Sequence, residues 1–381
     1  MAREFTNIID YARKELETFE QRPLCRVDSL IFSWVSYYRL PKEAPVTLSD
    51  ASIPIKELLR TEWLEPMCER LFDAQSSIEL LMALAASPRF RDVRVCGYES
   101  RTNEQAEQQF AAMTFLLPQG ETFVAYRGTD NTLVGWKEDF NMAFKTAVPS
   151  QIAAARYLDR VAQNTRGQLW CGGHSKGGNM AVFAGMTCSP QTRARLNKCF
   201  SHDGPGFSAK TIADPRWVDA PQIADKTIPQ SSVIGMIFEN QEQNYTVVHS
   251  HSKGFNQHDP FSWEVNGCDF ALENKLGLGA IVLDSSVNAW LANATDEQRE
   301  GFVDAIFSVF EATGESSFAD IKANWRTAAP KMAAAAAKLD AEDRGMVLQA
   351  VSDVTRALLP SRSRVEQVKK MWKAFERKPL T

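Results

Sequence analysis

The segment Gly172-Gly173-His174-Ser175-Lys176-Gly177-Gly178 sets one serine in a Gly-x-Ser-x-Gly frame. A serine hydroxyl is a poor nucleophile unless a base takes its proton and donors hold the oxyanion that forms. This spacing supplies the geometry. Small residues on both sides let a strand turn sharply into a helix, so that Ser175 stands exposed above a sheet. The helix behind it adds a positive dipole end and the backbone N–H of Lys176 as an oxyanion donor. Glycine-rich structural turns give the same five-residue pattern, but the flanks favour the chemical reading. The short apolar run Gln168-Leu169-Trp170-Cys171 precedes the turn, and the small-residue helix Asn179-Met180-Ala181-Val182-Phe183-Ala184 leaves it.

The base for such a serine is a histidine, and the chain has five. His174 adjoins the serine, and its side chain is expected to point away from the serine's pocket. His249 and His251 alternate at the end of a strand and read as half-buried structural groups. His258 follows the last strand candidate and completes the chain order serine, acid, histidine expected of this arrangement. For the acid, Asp203 ends the strand after the nucleophile helix, where Gly204, Pro205 and Gly206 make a rigid loop suited to holding one imidazole tautomer. Glu239 at the end of the next strand is the alternative. Asp259 is too near His258 in sequence to orient it easily. A loop-capping role for Asp203, and a local pairing of His258 with Asp259, are the plainer readings of the same residues.

The elements that must position these groups follow from periodicity. Phe5, Ile8, Ile9, Ala12, Leu16 and Phe19 repeat at helical spacing, Asp28 to Val35 predicts a second helix, and Ser76 to Ala86 a third, stopped by Ser87-Pro88. Phe110–Leu117 and Thr122–Tyr126, separated by Pro118-Gln119-Gly120, predict a hairpin. A helix over about 150–163 comes next, then strands at 168–171, Lys198–Ser201, Ser232–Phe238 and Tyr245–Val248. Strands alternating with helices predict an α/β fold: an α/β-hydrolase-like, mostly parallel sheet covered on both faces. Beyond 278 the chain returns to helix. Thr295-Asp296-Glu297-Gln298 is a capping box ahead of the stripe Phe302, Val303, Ile306, Phe307 and Phe310, and Met332 to Lys338 is alanine-rich. The organisation expected is one domain over 1–277, with its N-terminal helices, and a helical extension over 278–381 packed on it.

Composition excludes several classes. Hydrophobic residues are 44% and charged residues 24% of 381, as in an ordinary globular chain, and the net charge of −4 offers nucleic acid nothing. Seven scattered cysteines, with no Cys-x-x-Cys and no histidine–cysteine cluster, read as reduced, structural thiols and not as a zinc site. No metal and no cofactor are expected: no Gly-x-Gly-x-x-Gly opens a helix after a strand. No apolar run approaches the about 20 residues that span a bilayer, and no signal-peptide core opens the chain, so a cytoplasmic protein is expected. The tail from Ser361 carries seven Lys/Arg against two Glu, with Val365, Val368, Trp372 and Phe375 on one helical face. It reads as a helix docked on the core, with peripheral membrane contact as the alternative.

Phe123-Val124-Ala125-Tyr126-Arg127-Gly128-Thr129-Asp130, with Trp136 and Asp139 after it, resembles the strand-to-loop element of fungal-type (class 3) lipases. The wider pattern resembles the bacterial Mbeg-like family of lipase-like α/β-hydrolases, over roughly residues 5–330. It comprises Asp28-Ser29-Leu30, Arg127-Gly128-Thr129, the glycine-rich Ser175 turn with Asn179, His202-Asp203-Gly204-Pro205-Gly206-Phe207, Ser232-Val233-Ile234-Gly235-Met236, and Gln257-His258-Asp259-Pro260-Phe261-Ser262-Trp263. By that resemblance Thr129 is an oxyanion donor through its backbone N–H, and Trp136 and Asp139 fall in the lid segment, where they could equally pack. Independently, Arg127-Gly128-Thr129 ends an apolar strand, where α/β sheets place ligand-facing loops. The expectation is a serine esterase acting on a small-molecule or lipid ester through Ser175, His258 and Asp203, with Thr129 and Lys176 holding the oxyanion. An amidase or thioesterase with the same triad, and a non-catalytic binding module on the same fold, are the alternatives. Nothing in the sequence sets an oligomeric state.

Overall fold

The computed structural model describes residues 5–46, 51–68, 71–103, 105–130, 132–142, 145, 147–232, 234–236, 245–273, 276, 295–315 and 317–339. Glu239, the segment around Trp372 and the boundary expected at 277/278 lie outside the described residues. The chain divides into two compact units, Met1–Thr129 with Thr146–Ala292, and Asp130–Lys145 with Asn293–Thr381.

The first unit is built on an eight-stranded sheet whose spatial order follows the chain: β1 (Ile53–Pro54), β2 (Arg94–Asn103), β3 (Gln108–Leu116), β4 (Thr122–Tyr126), β5 (Leu169–His174), β6 (Leu196–His202), β7 (Ala224–Pro229) and β8 (Tyr245–Val248). β1 to β4 pair antiparallel and β4 to β8 pair parallel. This is the α/β-hydrolase-like sheet expected, with the predicted hairpin as its β3–β4 pair. Its first unit also holds α1 (Ile8–Lys14), α2 (Arg26–Val35), α3 (Thr61–Cys68) and α4 (Ala74–Ala86) ahead of β2. The second unit opens with α5 (Leu133–Asn141). The first resumes with α6 (Pro149–Asn164), and α7 (Lys176–Thr187) leaves β5.

Strand alternation sorts side chains between two cores. On one face Phe115, Phe123, Ala125 and Phe200 pack with Phe32 of α2; on the other Val124, Tyr126, Cys171 and Cys199 pack with α6 and α7. Phe32 stacks on Phe115 at 4.6 Å and lies 5.3 Å from Phe123. Truncating such a ring to alanine costs about 3–5 kcal/mol. α2 is further fixed by a fully buried ion pair. Arg89 Nη2 donates to Asp28 Oδ2 at 2.6 Å and Nε to Oδ1 at 2.9 Å, while Arg89 also donates to the carbonyls of Glu17, Arg22 and Pro23. The desolvated charges are therefore satisfied on every side.

Two expectations need revision. The strand predicted over Ser232–Phe238 is displaced: β7 runs Ala224–Pro229, and Ile234–Met236 is a 3-10 turn. β7 escaped notice because it carries Asp225 and Lys226, whose charges hide its strand pattern; Asp225 accepts from Arg26 at 2.9 Å. The first helix covers only Ile8–Lys14, with Asn7 and Asp10 forming its capping box. Phe19 is buried from outside that helix, and Leu16 is 63% exposed, so the helical stripe overran its cap. β1 and β2 carried too little apolar alternation to be read.

Among the described residues the second unit holds α5, α8 (Asp296–Glu311), α9 (Phe318–Ala323) and α10 (Trp325–Ala336). The Thr295 capping box forms as read, and Val303, Ile306, Phe307 and Phe310 face a core shared with Leu133, Ile321, Trp325 and Met332. Trp136 packs against this cluster.

Candidate active site

Ser175 stands one residue past β5 and caps α7, at φ 58° and ψ −134°. A non-glycine residue holds such a backbone only where its surroundings over-determine it. Here the Ser175 N–H donates to the His202 carbonyl at 2.9 Å, extending the β5–β6 ladder, and its own carbonyl accepts from the Gly178 N–H at 2.9 Å, starting the helix. The neighbouring glycines are required by close approach. A Cβ on Gly173 would come 2.6 Å from the Gly178 nitrogen, and one on Gly128 would come 2.6 Å from the His174 carbonyl oxygen and 3.1 Å from Ser175 Cβ. The Arg127-Gly128-Thr129 turn after β4 is therefore pressed directly against the serine. Thr129 follows that contact, and Lys176 is the first residue of α7, where backbone N–H groups have no intrahelical acceptor. The Lys176 side chain turns inward: it is buried and its Nζ donates to the Gln109 carbonyl at 3.1 Å.

Asp203 occupies the same position on the neighbouring strand. His174 pairs with His202 in the parallel register, so Ser175 and Asp203 each lie one step beyond the C-terminal edge. Asp203 has φ 50°, and its N–H donates to the Thr227 carbonyl of β7 at 2.7 Å. Its two carboxylate oxygens have separate partners. Oδ1 accepts from Ser232 Oγ and from the Gly235 N–H at 3.2 Å, and Oδ2 faces His258 Nδ1 at 2.6 Å. A carboxylate can only accept, so Nδ1 carries the proton and Nε2 of a neutral His258 is the basic nitrogen. His258 ends a 3-10 turn over Gly254–His258, anchored by Trp263 Nε1 donating to the Gln257 carbonyl at 2.7 Å. Asp259 accepts from the Phe261 N–H at 3.0 Å, capping the next turn.

Side chains beyond the predicted set complete this arrangement. His174 Nε2 lies 2.8 Å from the His258 carbonyl oxygen, and the two rings are 4.4 Å apart. That contact makes Nε2 the protonated nitrogen and leaves Nδ1 3.2 Å from Tyr37 Oη, whose hydrogen is shared with the His174 carbonyl, also at 3.2 Å. Burial, with His258 beside it, holds the His174 imidazole well below its usual range. His174 was expected to point away from the serine's pocket; it braces the turn that carries His258. Asn179, from the serine's own motif, accepts from Gln151 Nε2 and donates to the carbonyls of Pro205 and Gly206, clamping the loop after Asp203. Ser232 is the third. Ser232 opens the stretch expected as the strand Ser232–Phe238, whose residue types signal apolar burial but not a carboxylate-binding turn.

His249 and His251 lie outside this cluster, on the segment after β8, where His249 is half-buried and His251 exposed. All seven cysteines are free. Among the described residues no helix is long and apolar enough to cross a membrane.

The chain is similar to two solved lipase structures. The M37 lipase is 15% identical with a TM-score of 0.35, the match covering 54% of this chain and 68% of that one. The Rhizomucor miehei lipase in its propeptide complex is 12% identical with a TM-score of 0.34, covering 67% of this chain and 89% of that one. No curated protein matches the sequence. The Mbeg1-like family model matches residues 84–308, well over half of the chain, and on that match the protein belongs to the Mbeg1-like family.

Proposed function

We propose that this protein is a serine hydrolase of the lipase/esterase type, cleaving a carboxylic ester through Ser175, His258 and Asp203. The observation that carries the reading is the pairing of His258 Nδ1 with Asp203 Oδ2 at 2.6 Å, one strand away from a serine held at positive φ. In this reaction Ser175 Oγ attacks the ester carbonyl carbon and His258 Nε2 takes the hydroxyl proton. Asp203 stabilises the imidazolium without itself accepting the proton. The backbone N–H groups of Lys176 and Thr129 hold the tetrahedral oxyanion. Collapse expels the alcohol, protonated by His258, and water then attacks the acyl-serine with His258 again as base.

The test is labelling of the full chain by a fluorophosphonate probe alongside hydrolysis of p-nitrophenyl esters. Labelling is expected in the wild type and absent in Ser175→Ala, with turnover falling by about 10⁴-fold or more. A folded wild-type chain that takes no label refutes the reaction and leaves a binding module on a hydrolase fold. Matched thioester and anilide substrates tell an esterase from a thioesterase or amidase, because the same nucleophile serves all three.

A further inference from the structure

We propose that His249, His251 and Glu264 form a mononuclear site for a divalent transition ion of the zinc type, with Glu273 orienting His249. Their ligand atoms all lie within 4.8 Å of one another. His251 Nε2 is 3.0 Å and His249 Nε2 4.0 Å from the same oxygen, Glu264 Oε2. Donors about 2.0–2.1 Å from a tetrahedral zinc stand roughly 3.3 Å apart, so the observed separations bracket what an ion needs.

The backbone explains the convergence. Three extended segments meet here: the Glu264 N–H donates to the His249 carbonyl, the His251 N–H to the Ser262 carbonyl, the His249 N–H to the Ala271 carbonyl and the Glu273 N–H to the Val247 carbonyl. Alternation then sorts the side chains. Val248, Ser250, Trp263 and Val265 turn into the core, leaving His249, His251 and Glu264 together on the outer side.

Two further contacts suit a metal better than a chance ionic cluster. Glu273 Oε1 is 2.6 Å from His249 Nδ1. A carboxylate there fixes the proton on Nδ1 and leaves the Nε2 lone pair bare toward Glu264, the outer-shell arrangement that metal-binding histidines use. Phe5 stacks on the His251 ring at 3.8 Å, restricting its rotation. Two imidazoles and one carboxylate select zinc-like ions over magnesium or calcium, and leave a fourth position for water. The bound ion ties together segments on both sides of the 254–258 turn.

Titration of ZnCl₂ into the chelator-stripped full chain, followed by calorimetry and by the thermal midpoint, tests this. One zinc per chain is expected, with a raised midpoint and no competition from excess MgCl₂. Glu264→Gln and His251→Ala abolish that binding, and Glu273→Gln weakens it about 10- to 100-fold, the usual cost of losing an outer-shell partner. All three side chains are partly exposed, so circular dichroism verifies that each variant is folded. No zinc binding to the wild type overturns the proposal. Zinc binding that survives both Glu264→Gln and His251→Ala is binding elsewhere on the chain and overturns it equally.

Discussion

The imidazole of His202 makes acid stability a quantitative test of the core beneath the site. His202 is wholly buried on β6, stacked on Phe200 and edge-on to Trp263 and Phe270. Its Nε2 lies 2.8 Å from Ser29 Oγ, and that hydroxyl donates its own hydrogen to the Arg26 carbonyl at 2.7 Å. Ser29 Oγ must therefore accept, the proton sits on Nε2, and Nδ1 finds no hydrogen-bond partner among the described residues. Protonating Nδ1 would bury a charge and an unsatisfied donor, with the Arg26 guanidinium nearby; burial first and Arg26 second lower the pKa to about 3 from 6.5. The unfolded chain then binds more protons than the folded one between those values, so stability rises with pH through the window. The contribution is complete above about pH 6.5 and is lost as pH falls toward 3. At a tenfold change per pH unit once below the unfolded value, it amounts to about 2 kcal/mol between pH 6.5 and 4.5, and at most about 5 kcal/mol over the whole window. Urea unfolding at a series of pH values measures the slope in the wild type and in His202→Gln, whose amide still donates toward Ser29. The variant should be less stable at pH 7 and lose the His202 share of that slope, the buried His174 keeping its own; an undiminished slope in a folded His202→Gln refutes the reasoning.

Three further outcomes follow from the same contacts. Asp203→Asn should lower kcat for ester hydrolysis about 10³- to 10⁴-fold with little change in KM, because an amide no longer stabilises the His258 imidazolium; steady-state kinetics read it. His174→Ala leaves the His258 carbonyl without its donor, costing about 1–3 kcal/mol in urea unfolding and loosening the base. His174→Gln, which can still donate, should restore most of both stability and kcat. Arg89→Ala strands the Asp28 carboxylate in the core and should cost about 3–5 kcal/mol in chemical denaturation, without altering fluorophosphonate labelling of the molecules that remain folded.

Local chemistry was legible in the chain and long-range chemistry was not. The sharp turn at Ser175 depends on glycines within two residues of it, and the sequence alone determined its strand-to-helix geometry. The same holds for the Thr295 cap and the β3–β4 hairpin, because turns, caps and periodicity act over a few residues. The tertiary structure decided which groups meet across long stretches of chain. Asp203 faces His258 across 55 residues, Ser232 and the Gly235 N–H hold the oxygen that His258 does not use, and His174 turns toward the His258 carbonyl. None of these follows from residue type, since strand register and the packing of separate segments set them. Charged residues inside β7 disguised a strand because their partners come from elsewhere in the fold, Arg26 of α2 for Asp225. The cluster of His249, His251 and Glu264 shows the limit most clearly. Alternation puts the two histidines on one face of their segment, but only its pairing with 262–264 brings a carboxylate to them.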